Sequence, residues 1–261
     1  MKSKYQFSYY TRIVISIAIY AIFYIFVIYN IINAKDNGAR LFNIIMFILG
    51  IFGTLYEFLR ITYDAATKRL IQDDKAKEAL ELVERVEKFD LFKTFKTSCQ
   101  MMKILSLIDL RRFDEVIEYT NDLNKKEISD YDVNLVSAYG QMIAYGENNQ
   151  RGKSNEAFKR LINIRDTKDK KGRRFKGSYY LNWEVVNGQH KNYEGDYQGA
   201  FNYLKNISEE KMNRREVISY LCAKLVAAKK LNDSKIYNDI KSRLDKLIIN
   251  NKIMKDYIEE M

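Results

Sequence analysis

The sequence predicts an all-α protein: a two-helix transmembrane hairpin followed by a solenoid of about four to five helix pairs. Three observations predict it. Two long apolar runs open the chain, and apolar residues recur at helical spacing through the remainder. The 261 residues also include no proline, the residue that costs a helix interior about 3 kcal/mol. The length suits one membrane unit (residues 13–60, after a short segment 1–12) and one domain of ordinary size (residues 61–261).

Residues 13–32 (IVISIAIYAIFYIFVIYNII) carry no charge, and residues 41–59 (LFNIIMFILGIFGTLYEFL) carry only Glu57. A helix of about 20 mostly apolar residues crosses a hydrocarbon core. The first run exceeds the roughly 7–15 residues of a signal-peptide core and lacks a small-residue cleavage site, so an uncleaved helix is expected. Asp36, Asn37 and Gly38 supply turn chemistry between the spans. Lys2, Lys4, Arg12, Arg60, Lys68, Arg69 and Lys75 flank the outer ends, whereas the connecting loop holds only Lys35 and Arg40. That bias predicts a multi-pass protein of the cell membrane with both termini cytoplasmic.

Within the hairpin, Gly50 and Gly53 allow close helix approach, either between the two spans or to another membrane protein. Glu57 has two readings. One is a partner for a polar group in a membrane complex. The other is an interfacial carboxylate paired with Arg60 one turn on. The second span is expected to continue unbroken into the following domain, because residues 57–70 contain no Gly or Pro.

Behind the anchor the segments look alike. AKEALEL (76–82), FDEVIEY (113–119), SNEAFKR (154–160), YQGAFNY (197–203) and the fainter DSKIYND (233–239) align Ala79, Val116, Ala157, Ala200 and Ile236 at spacings of 37, 41, 43 and 36. A recurring period in this range marks stacked helix pairs. The small residue lets two helices of a pair press together, and its apolar neighbour (Leu80, Ile117, Phe158, Phe201, Tyr237) fills the gap to the next pair. First helices are expected at about 55–72, 91–109, 131–147, 178–191 and 214–229.

FDEVIEY at 113–119 and GDYQGAFNYL at 195–204 resemble the opening of the second helix in a tetratricopeptide repeat. The resemblance covers roughly residues 60–250 and implies a superhelix whose first helices line a concave groove that captures a peptide or helix of another protein. The periods exceed that family's 34 or so residues, so longer helices or loops are expected. Asn134, Gln141, Asn182, Asn187 and Tyr145 are the candidate groove residues, since side-chain amides bind extended backbone and tyrosines anchor peptides.

Catalysis finds little support. The one histidine, His190, is expected on the surface or in a loop, with nothing marking it as a base. No cofactor or metal ligand set is evident, and Gly152-Lys153-Ser154 lacks the rest of a phosphate loop. Cys99 and Cys222 read as buried free thiols. The net charge of +10 suits anionic lipid or an acidic partner. Its sharpest concentration is Lys168, Lys170, Lys171, Arg173, Arg174 and Lys176, either a solvated loop or a contact to lipid headgroups or an acidic protein. Nucleic acid is the weakest reading, as no recognition motif accompanies the run.

The expected function is therefore a membrane-tethered adaptor without enzymatic activity. The alternative is a non-catalytic subunit of a membrane transport, secretion or immunity system, contacting a membrane protein through Gly50, Gly53 and Glu57.

Overall fold

The computed structural model describes residues 2–125, 130–167 and 181–260, with the backbone alone for 2–10 and 12. The described residues form twelve α-helices and no strand. The first two are long and apolar enough to cross a membrane: α1 (Lys2–Asn33) and α2 (Asn37–Ile71). Their connection is shorter than the sequence suggests. The Asp36 carboxylate accepts the Ala39 N–H at 2.8 Å and caps α2, so Asn37 and Gly38 belong to the helix rather than to a turn.

α1 and α2 pack closely along a seam in which small and polar groups meet Phe23 and the buried Val27. A Cβ on Gly50 would lie 2.4 Å from the Phe23 ring, and one on Gly53 would lie 3.2 Å from the Tyr20 hydroxyl. Tyr24 and Thr54 share a 2.7 Å hydrogen bond, and Ser16 donates to Glu57 at 2.8 Å. Part-buried polar pairs of this kind are what hold a helix pair together in an apolar solvent.

α2 is a single 35-residue helix, about 52 Å long at 1.5 Å per residue. Its C-terminal half leaves the apolar run and becomes the first wall of the helical domain, burying Leu59, Ala66 and Leu70. The expected continuity between span and domain is therefore present.

Ten helices follow: α3 (Ala76–Phe89), α4 (Lys96–Asp109), α5 (Phe113–Lys125), α6 (Tyr131–Glu147), α7 (Arg151–Asp166), α8 (Trp183–Glu194), α9 (Tyr197–Leu204), α10 (Arg214–Lys230), α11 (Ser234–Leu247) and α12 (Lys252–Glu260). α2 packs on α3, α4 on α5, α6 on α7, α8 on α9, and α10 on α11. α4 also meets α6, α6 meets α8, and α8 meets α10. Ala79, Val116, Ala157 and Ala200 are all buried at these contacts, as their smallness predicts, while Ile236 is half-buried.

The turns inside the pairs share one device. Asp74, Arg111, Asn149, Gly195 and Asn232 all have left-handed φ, between 54° and 86°. In four of the five turns the next N–H reaches back five residues: Arg112 to Leu107, Gln150 to Tyr145, Asp196 to Lys191, and Asp233 to Ala228. This closes the first helix and reverses the chain.

The last helices return to the first. α10 touches α2. The Asn250 side chain donates to the Asp73 carbonyl at 2.7 Å, and the Asn251 side chain donates to the Asp109 carbonyl at 3.0 Å. Arg215 forms a two-pronged ion pair with Asp109 at 2.7 and 2.8 Å, across 106 residues of sequence.

Candidate functional site

That closure borders a half-open cavity of about 360 Å³, within the usual range for ligand pockets. Its walls come from the ends of α2 and α4, the inner faces of α6, α8 and α10, and α12. The phase of each helix decides which side chains arrive. On α6 they are Tyr139, Ile143, Gly146 and Glu147; on α8, Gln189, Asn192 and Tyr193. Gly146 is required because a Cβ there would lie 2.4 Å from the Tyr193 ring.

The cavity wall is part apolar and part polar. Glu147 accepts from Arg111 at 2.5 Å and from Tyr193 at 3.0 Å. The Tyr257 ring, from α12, covers the Arg111 guanidinium at 3.3 Å. Asp74 accepts the backbone N–H groups of Asn250 and Asn251. Arg214 donates to the Leu247 carbonyl. Asn192 donates to the Ala223 carbonyl at 2.7 Å, which fixes its amide, and its buried Oδ1 has no protein donor. Arg151 and Lys230 also line the space and, among the described residues, form no ion pair. Five cations therefore face three carboxylates (Asp74, Asp109, Glu147).

Burial governs the titration here. It raises the Asp74 and Asp109 carboxyls, against the pull of the neighbouring arginines. It lifts the Tyr193 phenol well above its ordinary value. The Cys222 thiol, which lines the cavity, is pushed up to about 12 by burial, as is that of Cys99. Both cysteines are free, Cys99 buried and Cys222 half-buried. A thiol held protonated is a poor nucleophile.

The sequence-derived groove residues are elsewhere. None of Asn134, Gln141, Asn182, Asn187 and Tyr145 lines the cavity. Gln141 is buried on the opposite side of α6, donating to Thr120 and Asn121 of α5 and accepting from Arg160 of α7. Asn182 caps α8 by accepting from Glu184 and Val185. Tyr145 lies under the Lys153 ammonium. The helical phase that decides which side chains reach the cavity is set by packing that no single segment reveals.

His190 is also corrected. It is buried rather than exposed, stacked 3.7 Å from the Phe158 ring, with Nδ1 3.8 Å from Glu194. Burial lowers its pKa. Gly50, Gly53 and Glu57 all face α1, and Glu57 is held by Arg60 through two hydrogen bonds. The basic run Lys168, Lys170, Lys171, Arg173, Arg174 and Lys176 lies outside the described residues.

Compared with known proteins, the chain matches no family model, and no match was found among curated proteins or solved structures. The tetratricopeptide resemblance therefore rests on the repeat segments themselves.

Proposed function

We propose that this chain is a membrane-tethered binding module. A two-span hairpin holds a tetratricopeptide-like superhelix at the cytoplasmic face, and the inner cavity captures a short acidic segment of a partner protein. The observation that carries the reading is α2, which serves both as an apolar span and, through Leu70 and the adjoining Asp74, as cavity wall. Binding and anchorage are thus built on one helix.

Further support comes from the repeated architecture. Five successive pairs use the same left-handed turn position, and four bury the same small or aliphatic side chain. The cationic surplus at Arg151 and Lys230 favours an acidic ligand, and the buried Asn192 Oδ1 suits an incoming N–H donor. Cytoplasmic placement follows from the seven Lys and Arg outside the spans against two in the loop. Tethering raises effective concentration, so modest affinity suffices. The transport-subunit alternative loses its named residues, because Gly50, Gly53 and Glu57 are engaged inside the hairpin.

The test is in-cell photo-cross-linking from Ser219, a cavity-lining position, in the full chain. A discrete protein adduct, lost on Arg151→Glu with Lys230→Glu, is the expected result. Adducts that form equally from an outer-face position such as Glu115 and ignore those charge reversals would sink the proposal.

A further inference from the structure

The connection between α3 and α4 has an unusual surface. Phe89, Leu91 and Phe92 are 46%, 70% and 68% exposed. Isolated exposed apolar side chains are ordinary. Outside α1 and α2, this is the one place among the described residues where three fall within four positions.

The neighbour of this patch is the second apolar span. The Phe92 ring meets the Phe52 ring edge-on with centroids 5.6 Å apart. Phe95 lies 5.6 Å from Tyr56 and 5.8 Å from Tyr63. The connection is therefore docked along α2, with Phe92 at its lowest point. Phe52 lies seven residues before Leu59, where the apolar run ends, about 10 Å into it by helical rise.

Helix lengths explain the depth. From Leu59 to the end of α2 at Ile71 the chain climbs about 18 Å. α3, with 14 residues, descends about 20 Å along the same helix. Its end reaches the level of Leu59, and the following connection falls below it.

The charges around the patch have a matching order. Lys88, Lys93 and Lys96 are exposed and, among the described residues, form no ion pair. Lys88 lies over the Phe89 ring at 5.8 Å. The carboxylate of Asp90 accepts the Thr94 and Phe95 N–H groups at 3.0 and 2.7 Å, and the Leu91 and Lys93 N–H groups reach the Phe89 and Asp90 carbonyls, so the loop closes most of its own backbone donors. Few open donors, exposed aromatic and aliphatic tips, and long flanking lysines are what a bilayer interface accepts.

We infer that the α3–α4 connection is seated in the bilayer, with Leu91 and Phe92 among the acyl chains beside the second span and Lys88, Lys93 and Lys96 on anionic headgroups. This rests on the hairpin crossing the membrane. It makes the helical domain lie directly on the lipid surface instead of standing off on a stalk.

The experiment uses the full chain in phosphatidylcholine–phosphatidylglycerol vesicles whose acyl chains are brominated, with Trp183 alone as the baseline. Phe92→Trp and, because Phe92 has a packing partner, Leu91→Trp report the loop; Phe26→Trp reports the span. The expected result is blue-shifted emission at 91 and 92, reduced at least twofold by the bromines, as at 26. If 26 is quenched but 91 and 92 respond only to aqueous iodide, the loop lies outside the lipid and this inference alone falls. If neither quencher reaches 91 and 92, protein covers them and the lipid seat is likewise overturned. If 26 is not quenched by bromines, the membrane reading fails and takes this inference with it.

Discussion

The hairpin and the helical domain are made from the same apolar residue types and place them in opposite ways. Ile22, Ile25 and Phe26 of α1 are more than 60% exposed, whereas Leu135, Leu161 and Leu225 are sealed. In the hairpin the inward seam mixes small and polar groups (Gly50, Gly53, Ser16, Thr54 and Tyr24) with only a few apolar ones such as Phe23 and Val27. The difference matches the solvents proposed for the two halves, lipid around the hairpin and water around the domain. Where water surrounds a helix, burying apolar area drives packing. Where lipid surrounds it, apolar side chains gain little by turning inward, and close backbone approach with hydrogen bonds takes over.

The comparison can be broken most sharply at Arg215. Removing it as Arg215→Ala leaves the Asp109 carboxylate buried and unpaired, and should cost about 3–5 kcal/mol of domain stability, read by urea unfolding of the full chain in detergent micelles. A loss below 1 kcal/mol would mean that closure of the helix row is not held by this pair.

A core truncation sharpens the same contrast. Leu161→Ala should lose about 2–5 kcal/mol, and Phe26→Ala on the outer hairpin face should stay within about 0.5 kcal/mol, both by thermal unfolding in micelles. Equal effects would show that the outer face of α1 packs against protein. Inside the hairpin, Gly50→Val forces atoms into the Phe23 ring and should cost about 1–3 kcal/mol. Spin labels on α1 and α2 should then report a wider separation, with the unfolding midpoint of the domain unmoved.

The smallest effect concerns His190. Its folded-state pKa lies below the unfolded value of about 6.5, so the unfolded chain takes up the proton more readily. Its contribution is intact above that value and fades as pH falls through it. Glu194, which favours the charged form, and Lys191, which opposes it, are the neighbouring charges. The midpoint of the parent should fall further between pH 7.5 and 5.5 than that of His190→Gln. Matching slopes would reject the assignment.

Much of the architecture was legible because it is local. Residues 131–147 were expected as a helix and form one, and Ala76, Phe113 and Tyr197 open second helices where the pattern placed them. The left-handed turns are not legible in the sequence, because Asp74, Arg111, Asn149 and Asn232 occupy positions where glycine would advertise the conformation. The cavity escaped because its walls depend on distant closure. Nothing near Asp109 announces a partner 106 residues away. His190 escaped for the same reason, since its burial is supplied partly by Phe158 from the preceding pair.

One helix, α2, reaches from the loop between the spans to the wall of the cavity without a joint. A rod of that kind transmits orientation. Bilayers of different thickness change the tilt of a span, and with no hinge to absorb the change, the far end must swing with it. With the hairpin crossing a bilayer as proposed, the thickness of that bilayer becomes a mechanical input to the geometry of the pocket, delivered along a single backbone.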